Sequence, residues 1–188
     1  MLRLSIIFLL ATTAMAQVPA LGGCPKVQFM TDFDGEKYMG VWYEVERYFA
    51  VFELGGKCVQ ANYTLNDNGT INVENKQISY LTGVATSIKG NARFEGKENE
   101  SKLRVTFPSV PFGGEAPYWV LETDYDNYAV VWSCTDFGIV SAKFVWLLTR
   151  EAIPPLAIME KAYAVLDRNN ISRAYLIRTD QKNCPARN

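Results

Sequence analysis

From Val41 to Thr149 the chain alternates short β-type apolar runs with turn signals and shows no linker. Eight strands are predicted: Val41–Tyr48, Cys58–Leu65, Thr70–Tyr80, Val84–Phe94, Lys102–Phe107, Tyr118–Thr123, Tyr128–Ser133 and Lys143–Thr149. Asn68-Gly69 between the second and third marks a hairpin, because both residues tolerate the positive φ of a tight turn. Gly55-Gly56, Asp124–Asn127 and the Pro/Gly-rich Pro108–Pro117 mark further breaks. The period then changes. Leu156, Met159, Tyr163 and Leu166 fall on one face of a helix that begins after Pro154-Pro155. A short ninth strand, Ala174–Thr179, follows. The expected fold is all-β: an eight-stranded antiparallel up-and-down barrel, with one C-terminal α-helix packed on its outside. Closing the sheet removes its edges and leaves a bore wide enough for one small ligand.

Side-chain alternation assigns the faces of several strands. Asn62-Tyr63-Thr64 is a glycosylation sequon, and a glycan must project outward. Val59, Ala61, Tyr63 and Leu65 therefore face the bore. Lys143 is expected in water, which turns Phe144, Trp146, Leu148 and Arg150 inward and leaves the apolar Val145 and Leu147 outside. The strand with Val130 and Trp132 on one face and Ala129, Val131 and Ser133 on the other is likewise apolar on both sides. Such strands need a second cover, and the helix supplies it. Tyr63, Phe107, Trp119, Phe144 and Trp146 are the candidate ligand-binding wall.

Composition narrows the chemistry. Arg3, the apolar stretch Leu4–Ala11 and Ala14-Met15-Ala16 read as a cleaved secretory signal, residues 1–16, followed by one domain at 17–188. The expected localisation is extracellular. No later apolar stretch reaches the roughly 20 residues of a spanning helix. The net charge of −1 carries no basic cluster suited to nucleic acid. Cys24, Cys58, Cys134 and Cys184 are an even set in a secreted chain, so they are expected in disulfides, with three pairings open. The chain has no histidine, hence no usual general base or metal ligand. Neither enzyme chemistry, nor a metal, nor a cofactor is expected.

Gly40-Val41-Trp42-Tyr43-Glu44 resembles the lipocalin G-x-W motif at the start of the first strand. Thr123-Asp124-Tyr125 resembles the second lipocalin motif and Arg150 the third. Three motifs in order, followed by a helix, extend the resemblance over the whole domain. The stretches TDFDGEKYMGVWYEVERY, GGKCVQANYTL, APYWVLETDYDNYAVVWSC and DQKNCP are similar to the apolipoprotein D and Lazarillo-type branch of that family. The resemblance implies disulfides Cys24–Cys134 and Cys58–Cys184, and a plug in which the Arg150 guanidinium stacks on the Trp42 indole. It also implies lining residues at Tyr63, Trp119 and Trp146. Asp136 stands where mammalian apolipoprotein D has an extra cysteine, so no disulfide-linked partner is expected.

The function these features imply is carriage of a small hydrophobic ligand: a fatty acid, sterol, retinoid, pheromone or bilin. A role in lipid transport and in protection against lipid oxidation follows, with Met30, Met39 and Met159 as the methionines left for oxidation chemistry. The alternative is a lipocalin-type isomerase, which would need a free cysteine in the cup. Tyr48-Phe49-Ala50-Val51-Phe52 and Val110-Pro111-Phe112-Gly113-Gly114 are apolar loops. They suit a lid or a contact with a membrane or lipoprotein surface. Sequons at Asn62, Asn68, Asn99 and Asn170 make the chain a candidate glycoprotein.

Overall fold

The computed structural model describes residues 18–50, 53–97, 99–109 and 114–185, with only the backbone of 18–20. The expected signal segment, Val51, Phe52 and Val110–Gly113 lie outside the described residues. Along the chain come β1 (Val18–Leu21), the one-turn helix α1 (Gly35–Tyr38), β2 (Gly40–Arg47), β3 (Gly56–Leu65) and β4 (Ile71–Ser79). Next are β5 (Ala85–Phe94), β6 (Lys102–Thr106), β7 (Ala116–Thr123), β8 (Tyr128–Asp136) and β9 (Val140–Thr149). The helix α2 (Leu156–Arg168) and the two-residue β10 (Ile177–Arg178) complete the order.

Strands β2 to β9 pair antiparallel with their sequence neighbours, and β9 pairs back onto β2, closing an eight-stranded barrel. The predicted architecture is therefore the observed one. Two elements had no sequence signal that was read. Strand β1 adds to the outside of β9, with Val18 opposite Lys143, and this pairing leaves Lys143 half-buried. Helix α1 is only four residues long and is capped by Asp34, whose side chain accepts from the Lys37 amide.

Two apolar layers share the barrel wall. Inside, Trp42, Tyr63, Ile71, Val73, Leu103, Val131 and Leu148 pack with the α1 residue Tyr38. Outside, Val130, Trp132, Val145 and Leu147 pack against Met159, Ala162, Val165 and Leu166 of α2. The strands that are apolar on both faces thus receive their second cover from the helix, as patterning requires. The helix face is rotated from the expected one. Leu156 is largely exposed, and Tyr163 is half-buried with its hydroxyl donating to Glu46 Oε1.

The expected ninth strand is shorter than Ala174–Thr179. Its first residues form a 3-10 turn, Arg173–Tyr175, and only Ile177 and Arg178 pair, with Arg47 and Glu46 of β2. The reason lies in the partner. Strand β3 pairs with β2 only along Gly40–Tyr43, and β2 bulges between Glu44 and Glu46. The C-terminal segment fills the gap that opens. Thr179 N donates to Val45 O, Cys58 N to Asp180 O, and Gln181 Nε2 to both Glu44 O and Val59 O. Cys58–Cys184 fastens this wedge, while Cys24–Cys134 fastens the N-terminal segment to β8.

One end of the barrel is sealed. Arg150 lies 3.7 Å over the Trp42 ring, and Trp42 is fully buried. Its guanidinium donates to Tyr125 O, Val41 O, Lys37 O and Met39 O at 2.8–3.1 Å. Lys37 O is a terminal carbonyl of α1 and Met39 O belongs to its C-cap, so neither has a partner within the helix. The turn beside it is built by Thr123, which donates to Tyr128 O and accepts from Tyr125 N, and by Asp124, which accepts from Asn127 N and Tyr128 N. Gly40 enters β2 at φ +92°, a backbone that favours glycine. Arg150→Met keeps an unbranched apolar stem and removes all four bonds. It is expected to lower unfolding stability by about 3 kcal/mol in urea titration, with Arg150→Lys falling between it and the parent.

Candidate functional site

Above the plug the bore is open as a cavity of about 640 Å³. Its lower wall consists of Tyr38, Tyr63, Ile71, Val73, Ala92, Leu103 and Leu148. Its upper wall includes Ile88, Phe107, Phe137, Phe144 and Trp146. The mouth lies where β2 ends and β3 begins, and likewise for β4 and β5, β6 and β7, and β8 and β9, at the end of the barrel opposite Arg150. Phe144 and Trp146 stack at 5.6 Å and 13° on one side. In the described part of the first apolar loop, Tyr48 and Ala50 are buried, which places them within the fold.

Of the five candidate lining residues, Tyr63, Phe107, Phe144 and Trp146 come together on this wall. Trp119 does not. It pairs across strands with Trp132, whose side chain lies in the outer layer under α2, and residues directly opposite share a face. Trp119 accordingly packs outside, 5.8 Å from Phe29, with the Lys102 ammonium 3.9 Å from the Phe29 ring centroid and 4.9 Å from that of Trp119. Its neighbour Tyr118 faces the bore instead. Sequence reasoning passed over Tyr118, because a bulge between Val120 and Glu122 shifts by one residue the register counted from the β7–β8 turn.

Tyr118 is the centre of a phenol chain, its hydroxyl 2.7 Å from that of Tyr38 and 2.8 Å from that of Tyr63. Burial holds Tyr38 and Tyr118 well above the ordinary tyrosine value and pushes Tyr63 up to about 12. All three are therefore neutral hydroxyls. Three O–H groups make two bonds among themselves, so one hydrogen is left to offer to an acceptor. The Tyr38 ring lies 5.3 Å from Trp42, which places the phenols directly on the plug.

A second polar group was also missed. Glu44 and Glu53 both line the cavity, and Glu44 is only 3% exposed. Arg47 Nε lies 3.2 Å from Glu44 Oε1 and 2.9 Å from Glu53 Oε2. Trp146 Nε1 donates to Glu53 Oε1 at 3.2 Å, and the Thr179 hydroxyl donates to Glu44 Oε1. Burial raises both carboxyls above their ordinary value, Glu53 the more strongly, with the Glu44 charge as a further cause for Glu53. Alternation would have found Glu44, two residues from the inward Trp42. Glu53 comes from the loop before β3, where no period applies.

Residues 33–181 match the Lipocalin-like domain family, and the chain belongs to the lipocalin family. Its relatives include apolipoprotein D of Mus musculus, 42% identical over 94% of this chain and 92% of that protein. The Lazarillo protein of Schistocerca americana is 37% identical over 68% of this chain and 60% of that protein. Among solved structures, insecticyanin from the tobacco hornworm Manduca sexta superposes with a TM-score of 0.77 at 24% identity, covering 89% of this chain and 90% of its own. Lobster apocrustacyanin A1 gives 0.69 at 25% identity, covering 80% and 81%.

Two predictions follow from the wall. Of Trp42, Trp119, Trp132 and Trp146, only Trp146 lines the cavity. Trp146→Phe should abolish most of any ligand-induced change in intrinsic fluorescence, while Trp119→Phe should leave it. The second concerns pH. A raised carboxyl contributes its full stabilisation below its ordinary value of 4.5, and that contribution is lost as the pH climbs through the folded value. The stability of Glu53→Gln relative to the parent, from urea titrations, should therefore grow as pH rises from about 4 to about 8.

Proposed function

We propose that this protein is an extracellular carrier of a small hydrophobic molecule held in the barrel, and that it performs no catalysis. The observation that carries the reading is the cavity of about 640 Å³, apolar over most of its wall and sealed at one end by Arg150 and Trp42. Volumes of this order suit a single lipid-sized ligand. Removing about 200–300 Å² of ligand apolar surface from water at ~25 cal/mol/Å² provides roughly 5–8 kcal/mol before association costs. Tyr63, Phe107, Phe144 and Trp146 are the proposed contacts, joined by Tyr118.

Membership of a family of small-molecule binders supports this reading, as do two disulfides of the kind oxidising compartments allow. Among the described residues no helix is long and apolar enough to cross a membrane. The isomerase alternative needs an unpaired thiol in the cup, and all four cysteines are bonded. Protection against lipid oxidation would come from sequestering the ligand. Met159 is buried on the barrel-facing side of α2, and Met30 and Met39 pack against the inner core. Contact of the mouth loops with a membrane or lipoprotein remains part of the proposal. So does N-glycosylation, with Asn68, Asn99 and Asn170 exposed and Asn62 half-buried.

Organic extraction of the purified protein followed by mass spectrometry should yield a stoichiometric apolar compound. Ala92→Trp places an indole in the lower cavity and should weaken binding of that compound by about tenfold or more. Unchanged affinity in a folded Ala92→Trp variant would count against the cavity as the site.

A further inference from the structure

The cluster at Glu44, Glu53 and Arg47 is unusual for an apolar cup because its charges do not balance. Two carboxylates face one guanidinium, and the guanidinium is already engaged. Its Nη1 donates to Tyr48 O at 3.1 Å and its Nη2 to Glu53 O at 3.2 Å, while Nε sits between the two carboxylates. The remaining donors, Thr179 and Trp146, are neutral. Around the pair the cavity adds Gln60 from β3 and Asn75 from β4, and the Asn75 Oδ1 acceptor is buried without a partner. Lys76 lines a smaller pocket beside Glu53 and Asn75, but its ammonium is paired with Glu74 at 3.2 Å, and Tyr63, on which both carboxyls act, is neutral. The site therefore carries either one uncompensated negative charge or one extra proton. In a low-dielectric cavity the charge is costly, so in the empty cup a shared proton is favoured.

We propose that Glu44 and Glu53 form a polar subsite within the cup that selects amphiphiles bearing a protonated amine over those bearing an alcohol or a carboxylate. An ammonium can replace the shared proton. It brings the missing positive charge and up to three donors to a wall rich in acceptors, and its apolar tail lies along the aromatic surface below. An alcohol offers one donor and no charge. A carboxylate adds a third negative group beside two carboxyls and is repelled. The inference rests on the carrier reading, since the tail must enter the cavity for the head to reach the pair.

The test uses the intact mature protein and three probes of equal chain length: dodecylamine, dodecanol and dodecanoate. Calorimetric titration of the parent near pH 7 should show the amine bound about tenfold or more tightly than the alcohol, and the acid most weakly. Titration in buffers of different ionisation enthalpy should show net proton release on binding the amine and none on binding the alcohol. Glu53→Gln, and separately Glu44→Gln, should bring the amine to within about threefold of the alcohol. The parent measurements stand alone if either variant fails to fold. Equal parent affinities for amine and alcohol overturn the proposal. An amine preference that survives in both variants overturns it too. Failure of all three probes, the alcohol included, overturns the carrier reading together with it.

Discussion

The guanidinium of Arg150 is the knot on which this barrel depends. It lies on the face of Trp42 and donates to the carbonyls of Lys37, Met39, Val41 and Tyr125. These carbonyls come from the stretch that runs from α1 into β2 and from the β7–β8 turn, so one side chain just beyond β9 joins two segments that are distant from each other in sequence. The bonds to Tyr125 O and Met39 O are partly buried, where an unpaired carbonyl costs about as much as a lost hydrogen bond, while those to Val41 O and Lys37 O lie at the surface. The planar fork of arginine satisfies all of them while its π-face meets the indole. With one end closed in this way, the bore becomes a cup and not a channel. Every position above the plug then acquires a depth.

Depth separates two kinds of polar group in an otherwise apolar space. At the floor, the hydroxyls of Tyr38, Tyr118 and Tyr63 bond to one another, and burial keeps them neutral. On the β2 side of the wall, Glu44 and Glu53 share Arg47, and burial raises both carboxyls. The first arrangement has a donor to spare and the second has acceptors to spare. A long amphiphile with polar groups at both ends would find a complement for each. The same low dielectric that makes these groups costly when unpaired makes them selective when a ligand pairs them.

The tail wedge connects fold to site. Because β2 bulges and parts from β3, Thr179 and Gln181 reach into the gap, where Thr179 bonds the Glu44 carboxylate. The Cys58–Cys184 bond holds that wedge in place. A disulfide that would ordinarily be read as bracing alone therefore also positions a neighbour of the polar subsite. The helix α2 has a different part. It covers Val130, Trp132, Val145 and Leu147, and none of its residues lines the cavity.

Local patterning was enough for the strands, for the hairpin at Asn68-Gly69, and for the inward facing of Tyr63, Phe144 and Trp146. Alternation and turn chemistry are properties of adjacent residues, so they survive in a single chain read without its fold. The motif residues Trp42 and Arg150 were likewise legible as a plug, through resemblance. Trp119 shows where that legibility ended. Its face depends on its register against Trp132, and a one-residue shift turns every side chain to the other face. Glu53, the Thr179–Gln181 wedge and α1 escaped for a related reason. They lie in loops or single turns with no period of their own, and only closure of the sheet between β2 and β9 brings them to the cavity wall and its floor. The sequence by itself determined a closed barrel with an aromatic interior, because period-two apolar runs can be buried in few other ways. Only the tertiary structure decided which groups meet inside it, because that depends on long-range register and on the backbone carbonyls that a single arginine could reach.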